Sequence, residues 1–334
     1  MNTSYQIKNW SAFRKFAPDA QGTIEFGESH FQFHHARAFE DTYREIFEQG
    51  IYQFNQTSDK PYIIDCGANM GLSVLYFAKK YPNASIIAFE PEEPIYNVLQ
   101  KNVQQYALSN VRIEKKAVWD EQTTLKFFTD NGMGGSVTNA FENQQPTLVE
   151  TVVLRDYLTQ KVDFLKLDIE GAEYRVLQHC ADRLHLVENL FVEYHSFINE
   201  EQHLDDLLQL LKTKGFRYHI KESFSRKSPF TESILACENM EMAVNIFAYR
   251  YQQVVSDVSN ETPLVSICMP VYNGSEYLAE AIECALSQTY ANTEILIIDD
   301  CSTDETSAIA KEYASKYQHV KYFKNETNLG LVGN

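Results

Sequence analysis

From Tyr62 onward, short apolar and β-branched runs alternate with stretches whose apolar positions repeat at helical spacing. That alternation predicts a largely parallel sheet with helices packed on both faces. Residues 62–65 read as a first strand, and after a glycine-bearing turn Leu72, Leu75, Tyr76 and Lys79 fall on one helix face. Residues 85–90 read as a second strand. Pro94 suits the first turn of the next helix, whose stripe is Ile95, Val98, Leu99, Val103 and Tyr106. Further strands are expected over 111–116, 164–169, 189–194, 216–220 and 245–250, with a helix marked by Leu204, Leu207, Leu208 and Leu211. The count comes to about seven strands.

The flanks differ from this body. Residues 1–60 are rich in aromatic side chains and helical around 38–47, but carry no readable motif, so they are taken as an N-terminal extension to an α/β domain over 61–250. Periodicity lapses over 251–262 and ends at Pro263, which predicts a linker. A new βαβ series then begins: a strand at 264–270, a helix marked by Leu278, Ile282, Ala285 and Leu286, a strand at 294–300, another helix, and a strand at 319–323. The segment 263–334 is thus expected to form a second α/β piece.

Composition narrows the function. At 44% hydrophobic, 334 residues can bury a large core. Forty-six acidic against 29 basic side chains give a formal charge of -17, which repels nucleic acid and anionic membrane surfaces. The N-terminus has no apolar signal region, and no apolar run reaches the length of a membrane span, so a cytoplasmic protein is expected. The six cysteines lack metal-ligand spacing and read as buried, reduced thiols.

The chemistry-bearing segment of the first strand is Asp65-Cys66-Gly67-Ala68-Asn69-Met70-Gly71, set between a strand and a helix. Gly67 and Gly71 let the backbone approach a ligand closely, and the helix N-terminus offers free N–H donors. Glu90 ends the next strand, where such folds bind ribose hydroxyls with a carboxylate that accepts two hydrogen bonds. A nicotinamide dinucleotide site would need the third glycine of GxGxxG, which is missing. A plain tight turn would account for the glycines without Glu90.

A second motif, Phe164-Leu165-Lys166-Leu167-Asp168-Ile169-Glu170-Gly171-Ala172-Glu173, crowds three carboxylates at the end of a buried strand. Ligands bind in the crevice at such strand ends. Together with DCGANMG (65–71), AFEP (88–91) and VEYH (192–195), this run resembles the FkbM family of methyltransferases over about residues 60–250. The resemblance implies a class I Rossmann-like fold with strand order 3-2-1-4-5-7-6 and S-adenosylmethionine-dependent O-methylation of a sugar or polyketide hydroxyl. It also implies that Asp65, Gly67, Asn69 and Gly71 line the methionine end of the cofactor, that Glu90 holds the ribose, and that Asp168 faces the reaction centre.

Asp168, Glu170, Glu193 and His195 end neighbouring strands and can converge. His195 suits a general base, since imidazole titrates near neutrality; a histidine merely hydrogen-bonded at a strand end is the plain alternative. Equally, Asp168 and Glu170 with Glu193 could hold a divalent cation such as magnesium that lowers the hydroxyl's pKa. Both readings stay open. The glycine-rich Asn131-Gly132-Met133-Gly134-Gly135-Ser136, after a strand-like stretch at 125–129, reads as a substrate lid or a hairpin tip.

In the second piece, Pro270-Val271-Tyr272-Asn273-Gly274, then Asp299-Asp300-Cys301-Ser302-Thr303-Asp304, and later Asn328-Leu329-Gly330, resemble the family 2 glycosyltransferases of GT-A fold. That resemblance makes Tyr272, Asn273, Asp299 and Asp300 contacts to the uridine of a nucleotide-sugar. The family's later metal, acid and acceptor motifs do not occur before position 334, so an incomplete, inactive fragment with an open sheet edge is expected. The expected activity is methylation of a small-molecule or glycan hydroxyl in surface polysaccharide assembly. A noncatalytic nucleotide-binding module serving a glycosyltransferase, or a main activity as a glycosyltransferase in a longer full-length protein, is the competing reading.

Overall fold

The computed structural model describes residues 6–129, 135–136, 146–231, 240–250 and 263–330, and the chain divides into two units, Met1–Tyr251 and Gln252–Asn334. The first is built on seven strands: β1 (Tyr62–Cys66), β2 (Ser85–Phe89), β3 (Val111–Glu114), β4 (Val162–Leu167), β5 (Val187–Phe197), β6 (Arg217–Ser225) and β7 (Met240–Tyr249). Read from β3, their order is 3-2-1-4-5-7-6. Strands β1 to β5 run parallel, and β7 is antiparallel to both its neighbours. The fold is therefore the class I Rossmann-like α/β arrangement that the motifs implied. Every residue of β4 is buried, as expected of a central parallel strand with both faces covered. The edge strand β6 is mostly exposed and carries Arg217, His219, Lys221 and Glu222, charges that discourage pairing with another chain.

Helix α1 (Leu72–Lys80) is buried along its whole first seven residues, more than one amphipathic face would bury. The reason is the N-terminal segment. An antiparallel hairpin, Gly22–Phe26 with Ser29–Phe33, and a helix, Ala36–Tyr43, that runs on into a π-helical turn, Arg44–Glu48, share one hydrophobic core with α1. Phe13, Phe26, Phe31, Phe33 and Phe39 pack mainly edge-on or tilted, and Phe47 meets Tyr76 of α1 edge-on with ring centres 5.6 Å apart. The helix expected near 38–47 is present, whereas the hairpin was not expected.

Helix α2 (Glu93–Gln105) buries Ile95, Val98 and Leu99 as the stripe predicts, and also Asn102. The Asn102 amide accepts from Gln32 N (2.8 Å) and donates to Gln32 O and Met70 O (both 2.8 Å), which ties the hairpin to the loop after β1. The strand expected over 111–116 is in fact two pieces. After β3 the chain leaves the main sheet, and Ala117–Trp119 joins a separate four-stranded sheet with Thr147–Val153, Thr124–Thr129 and Gly135–Ser136. Within that sheet Gly135 and Ser136 pair antiparallel with Thr129 and Phe128. The rest of the glycine-rich stretch, 131–134, lies outside the described residues.

The second unit is a parallel sheet of β8 (Val265–Val271), β9 (Thr293–Asp299) and β10 (Val320–Lys324) with two helices, Leu278–Leu286 and Thr306–Lys316. Its core is small: Leu278, Ile282, Ala285, Ile295, Ile297, Ala310 and Val320. Val265 and Phe323, on the two edge strands, are 44% and 52% exposed. Cys66 and Cys180 are buried as expected, but Cys268 and Cys284 are exposed and Cys301 is half-buried, since the helix Leu278–Leu286 and β8 each present only one face to this core. Cys237 lies outside the described residues. Among the described residues no helix is long and apolar enough to cross a membrane.

Candidate active site

The loop that leaves β1 is shaped by its glycines. Gly67 has φ 84°, and a β-carbon there would run into the carbonyl oxygen of Asp168, so β1 and the end of β4 come together only with glycine at 67. Gly71, at φ 94°, faces Leu99 Cδ1, 2.6 Å from where a β-carbon would lie. Gly67 N and Ala68 N donate to Phe89 O (3.1 and 2.9 Å), which fastens the loop to the end of β2. There Glu90 is buried, and its carboxylate accepts from Asn69 N and Glu92 N, each at 3.0 Å. Burial pushes Glu90 up to about 7 despite those two bonds.

These residues open onto a cleft of about 640 Å³, counted with its open mouth, walled by Phe89, Ile95, Val118, Phe127 and Ile169 and rimmed by polar groups. Of the residues singled out from sequence, the cleft gathers Gly67, Asn69, Glu90, Asp168 and Glu170. Asp65 and Gly71 stand behind it. Asp65 is sealed from solvent, accepts from Ser73 Oγ at 2.6 Å, and lies with Oδ1 3.6 Å from Lys166 Nζ.

Lys166 is the hub that sequence reading passed over. In the parallel register it sits beside Asp65, and its ammonium donates to Gly67 O (2.7 Å) and Asp168 Oδ2 (3.0 Å). Burial alone would lower its pKa, but Asp168 and Asp65 hold it well above the usual lysine value, so the ammonium is permanent. The available signal was the one cation inside a run of mostly apolar residues, a pattern that demands buried partners.

Beyond β4 the chain turns through two left-handed residues, Glu170 (φ 56°) and Gly171 (φ 105°). The fully buried Glu173, at the start of α3 (Glu173–His179), holds that turn by accepting from Ile169 N (3.2 Å) and Gly171 N (3.0 Å) with Oε1. The same oxygen lies 3.1 Å from His195 Nδ1, and Glu170 Oε2 lies 3.5 Å from His195 Nε2. One ligand atom each from Asp168, Glu170 and His195 falls within 4.8 Å of the other two. Glu193 is not in that trio and accepts from Ser223 Oγ at 2.7 Å.

Electrostatically this corner is short of positive charge. Burial lifts Glu170 to about 8 against the pull of His195, and burial with the charge of Asp168 lifts Glu193 above its ordinary value. For His195 burial opposes protonation, but Glu170, Glu173 and Glu193 prevail and raise its pKa well above normal. The carboxylates around the ring favour its charged form. The N-terminal segment contributes here too: Glu45, in the π-helical turn, is pushed up to about 7 by burial and by the charges of Glu193 and Asp168.

In the second unit Tyr272 is 53% exposed, and Asn273, at φ 47°, accepts from Thr303 N at 2.8 Å. Asp299 and Asp300 are buried and spent on internal bonds. Asp299 accepts from Ser302 N (2.7 Å), Ser307 Oγ (2.7 Å) and Tyr322 OH (2.8 Å). Asp300 takes Asn325 Nδ2 (3.0 Å), Leu329 N (2.7 Å) and Gly330 N (2.8 Å).

A sheet in the order 3-2-1-4-5-7-6, with a glycine loop after β1 and a buried acid at the end of β2, defines a class I Rossmann-like methyltransferase. Residues 65–218 match the Methyltransferase FkbM domain, and residues 266–334 match Glycosyl transferase family 2. Methyltransferase sdnD of Sordaria araneosa is 32% identical over 45% of this chain and 73% of its own length. Methyltransferase 1 of Beauveria bassiana is 28% identical over 52% and 79%. An uncharacterized glycosyltransferase of Rickettsia prowazekii, RP339, is 56% identical over 16% of this chain and only 17% of its own length. The chain belongs to the FkbM methyltransferases, enzymes dependent on S-adenosylmethionine, and carries a family 2 glycosyl transferase segment after that domain. The cleft suits the cofactor: the buried Glu90 carboxylate can take ribose hydroxyls, and Ile95, Val118 and Phe127 offer apolar surface to a purine.

Proposed function

We propose that the chain methylates a hydroxyl oxygen of a sugar during assembly of a glycan, with surface polysaccharide as the product class. The observation that carries the donor side is Glu90, a desolvated carboxylate on the cleft wall, with one oxygen on Asn69 N of the loop after β1 and the other on Glu92 N. Support for a carbohydrate acceptor comes from the glycosyl transferase segment in the same chain. In this reading Gly67 and Asn69 line the methionine end of the donor, Glu90 accepts from its ribose, and Asp168, Glu170, Glu193 and His195 form the acceptor side. Asp65 and Gly71 hold the loop in shape from behind.

Bound S-adenosylmethionine supplies a sulfonium methyl group open to in-line displacement. The protein's own task is to hold the hydroxyl oxygen about 3 Å from that carbon and to take its proton as the oxygen–carbon bond forms and the carbon–sulfur bond breaks. Lys166 engages Asp168, and His195 engages Glu170 and Glu173. Glu193, which accepts from the neutral Ser223 hydroxyl, is left to receive the proton, and its raised pKa suits that role. His195 orients the carboxylates around it.

The test is calorimetric titration with S-adenosylmethionine and S-adenosylhomocysteine, followed by labelled methyl transfer to free and nucleotide-linked sugars. Glu193→Gln should lower turnover at least about 100-fold while donor affinity stays within about threefold. Stabilisation by NADH but not by S-adenosylhomocysteine would remove the donor assignment. Methyl transfer to non-carbohydrate hydroxyls alone would remove the acceptor class.

A further inference from the structure

We propose that Asp168, Glu170 and His195 form a binding site for one divalent metal ion of the manganese type, at the edge of the cofactor cleft, where it takes hold of acceptor oxygens. The first ground is geometry. The three side chains present one nitrogen and two carboxylate oxygens, each pair within 4.8 Å, and His195 Nε2 already lies 3.5 Å from Glu170 Oε2. Ligands at right angles around an ion at roughly 2.1 Å are about 3 Å apart, so side-chain rotations that bring the atoms up to about 2 Å closer complete the set. Asp168 and Glu170 line the cleft, which gives the remaining positions access to a bound molecule.

The second ground is what stands behind the histidine. His195 is 7% exposed, and its Nδ1 lies 3.1 Å from Glu173 Oε1. Glu173 is completely buried and fixed by the backbone N–H groups of Ile169 and Gly171. A carboxylate accepting Nδ1–H points Nε2 at Asp168 and Glu170 and raises its basicity, the outer-shell device by which metal-ligating histidines are oriented. Charge gives the third ground. Among the described residues, Asp65 and Asp168 lie against Lys166, and Glu170 and Glu173 against His195, a cluster of carboxylates whose charge a dication would offset.

The donor set also narrows the ion. Magnesium favours all-oxygen surroundings, whereas one imidazole with two carboxylates suits manganese and its first-row neighbours. The role of the ion rests on the methyltransferase reading above, but its binding does not, and the two are measured apart. The full chain, stripped with chelator, is titrated with Mn2+ by calorimetry and electron paramagnetic resonance, and separately with S-adenosylhomocysteine.

One Mn2+ per chain is expected. His195→Gln and Glu173→Gln should each weaken it about 10- to 100-fold, while Glu193→Gln leaves it within about threefold. Retained S-adenosylhomocysteine binding certifies that each variant is folded. Visible absorption of Co2+ seated in the same site should change with His195→Gln and persist in Glu193→Gln. No stoichiometric Mn2+, or equal affinity in wild type and His195→Gln, overturns the site and leaves the trio as an imidazolium held by carboxylates. Mn2+ bound without S-adenosylhomocysteine would instead sink the donor assignment and spare the metal site.

Discussion

Lys166 and Asp65 are register partners on adjacent parallel strands, both sealed from solvent, with ammonium nitrogen and carboxylate oxygen 3.6 Å apart. The pair locks β4 to β1 directly beneath the loop that leaves β1, and through Gly67 O the lysine also holds that loop.

Removing the lysine alone should be severe, because it leaves Asp65 buried without a counter-ion. Lys166→Met is expected to cost about 3–5 kcal/mol in urea unfolding, and adding Asp65→Asn should restore more than half of the loss. A single-variant cost under about 1 kcal/mol would show that the pair is not a structural lock.

Glu90 couples donor binding to pH. Its folded pKa of about 7 lies above the ordinary 4.5, so the folded protein retains a proton that the unfolded chain has lost. Stability of the donor-free protein therefore falls as pH rises from 4.5 to 7, by about 3 kcal/mol in all, and is level above that. Glu90→Gln should abolish this slope in melting temperature measured from pH 5 to 8.5. It should also weaken S-adenosylhomocysteine at least about tenfold, since one carboxylate acceptor is gone. Parallel stability curves for the two proteins would contradict the burial argument.

The two loop glycines should respond unequally. Gly67→Ala drives a methyl group into the Asp168 carbonyl, and neither backbone can yield. A loss above about 3 kcal/mol, with donor binding abolished, is expected. Gly71→Ala meets only the end of the Leu99 side chain, which can rotate away, so the loss should be about 1–3 kcal/mol with binding retained. Chemical denaturation of both variants ranks them, and a reversed ranking would refute the packing described for β1 and β4.

In the second unit, burial pushes Asp299 up, but the bonds from Ser302, Ser307 and Tyr322 outweigh it and hold the carboxyl down at about 2 against an ordinary 3.8. The stabilisation is complete above pH 3.8 and is lost as pH falls toward 2. Asp299→Asn should destabilise this unit by about 1–3 kcal/mol at pH 7 and flatten its acid transition, followed by tryptophan-independent far-ultraviolet dichroism. An unchanged transition would mean that the buried aspartate is not its anchor.

The sheet and the donor loop were legible because their signals are local. Asp65 to Gly71 spells a strand, a turn and a helix start in consecutive residues, and Glu90 needs only the end of the next strand. Lys166 and Glu173 were not legible in the same way. The first matters because parallel register sets it beside Asp65, and the second because the left-handed turn at Glu170 and Gly171 folds it back onto His195. The hairpin around Gly27 is masked by its own composition, since Phe26, Phe31, Phe33 and Phe39 satisfy a strand alternation and a helical stripe about equally well. The surroundings of His195 depend on three carboxylates drawn from a turn, a helix and a strand, which residue type alone does not show.

Strand β7 is the last of the seven to be synthesised, yet it is inserted between β5 and β6. Until Tyr249 has left the ribosome, the flank of β5 around Leu190 and Val192 has no partner, and a nascent polypeptide paused short of that point displays an adhesive rim to chaperones and to its neighbours on the same messenger.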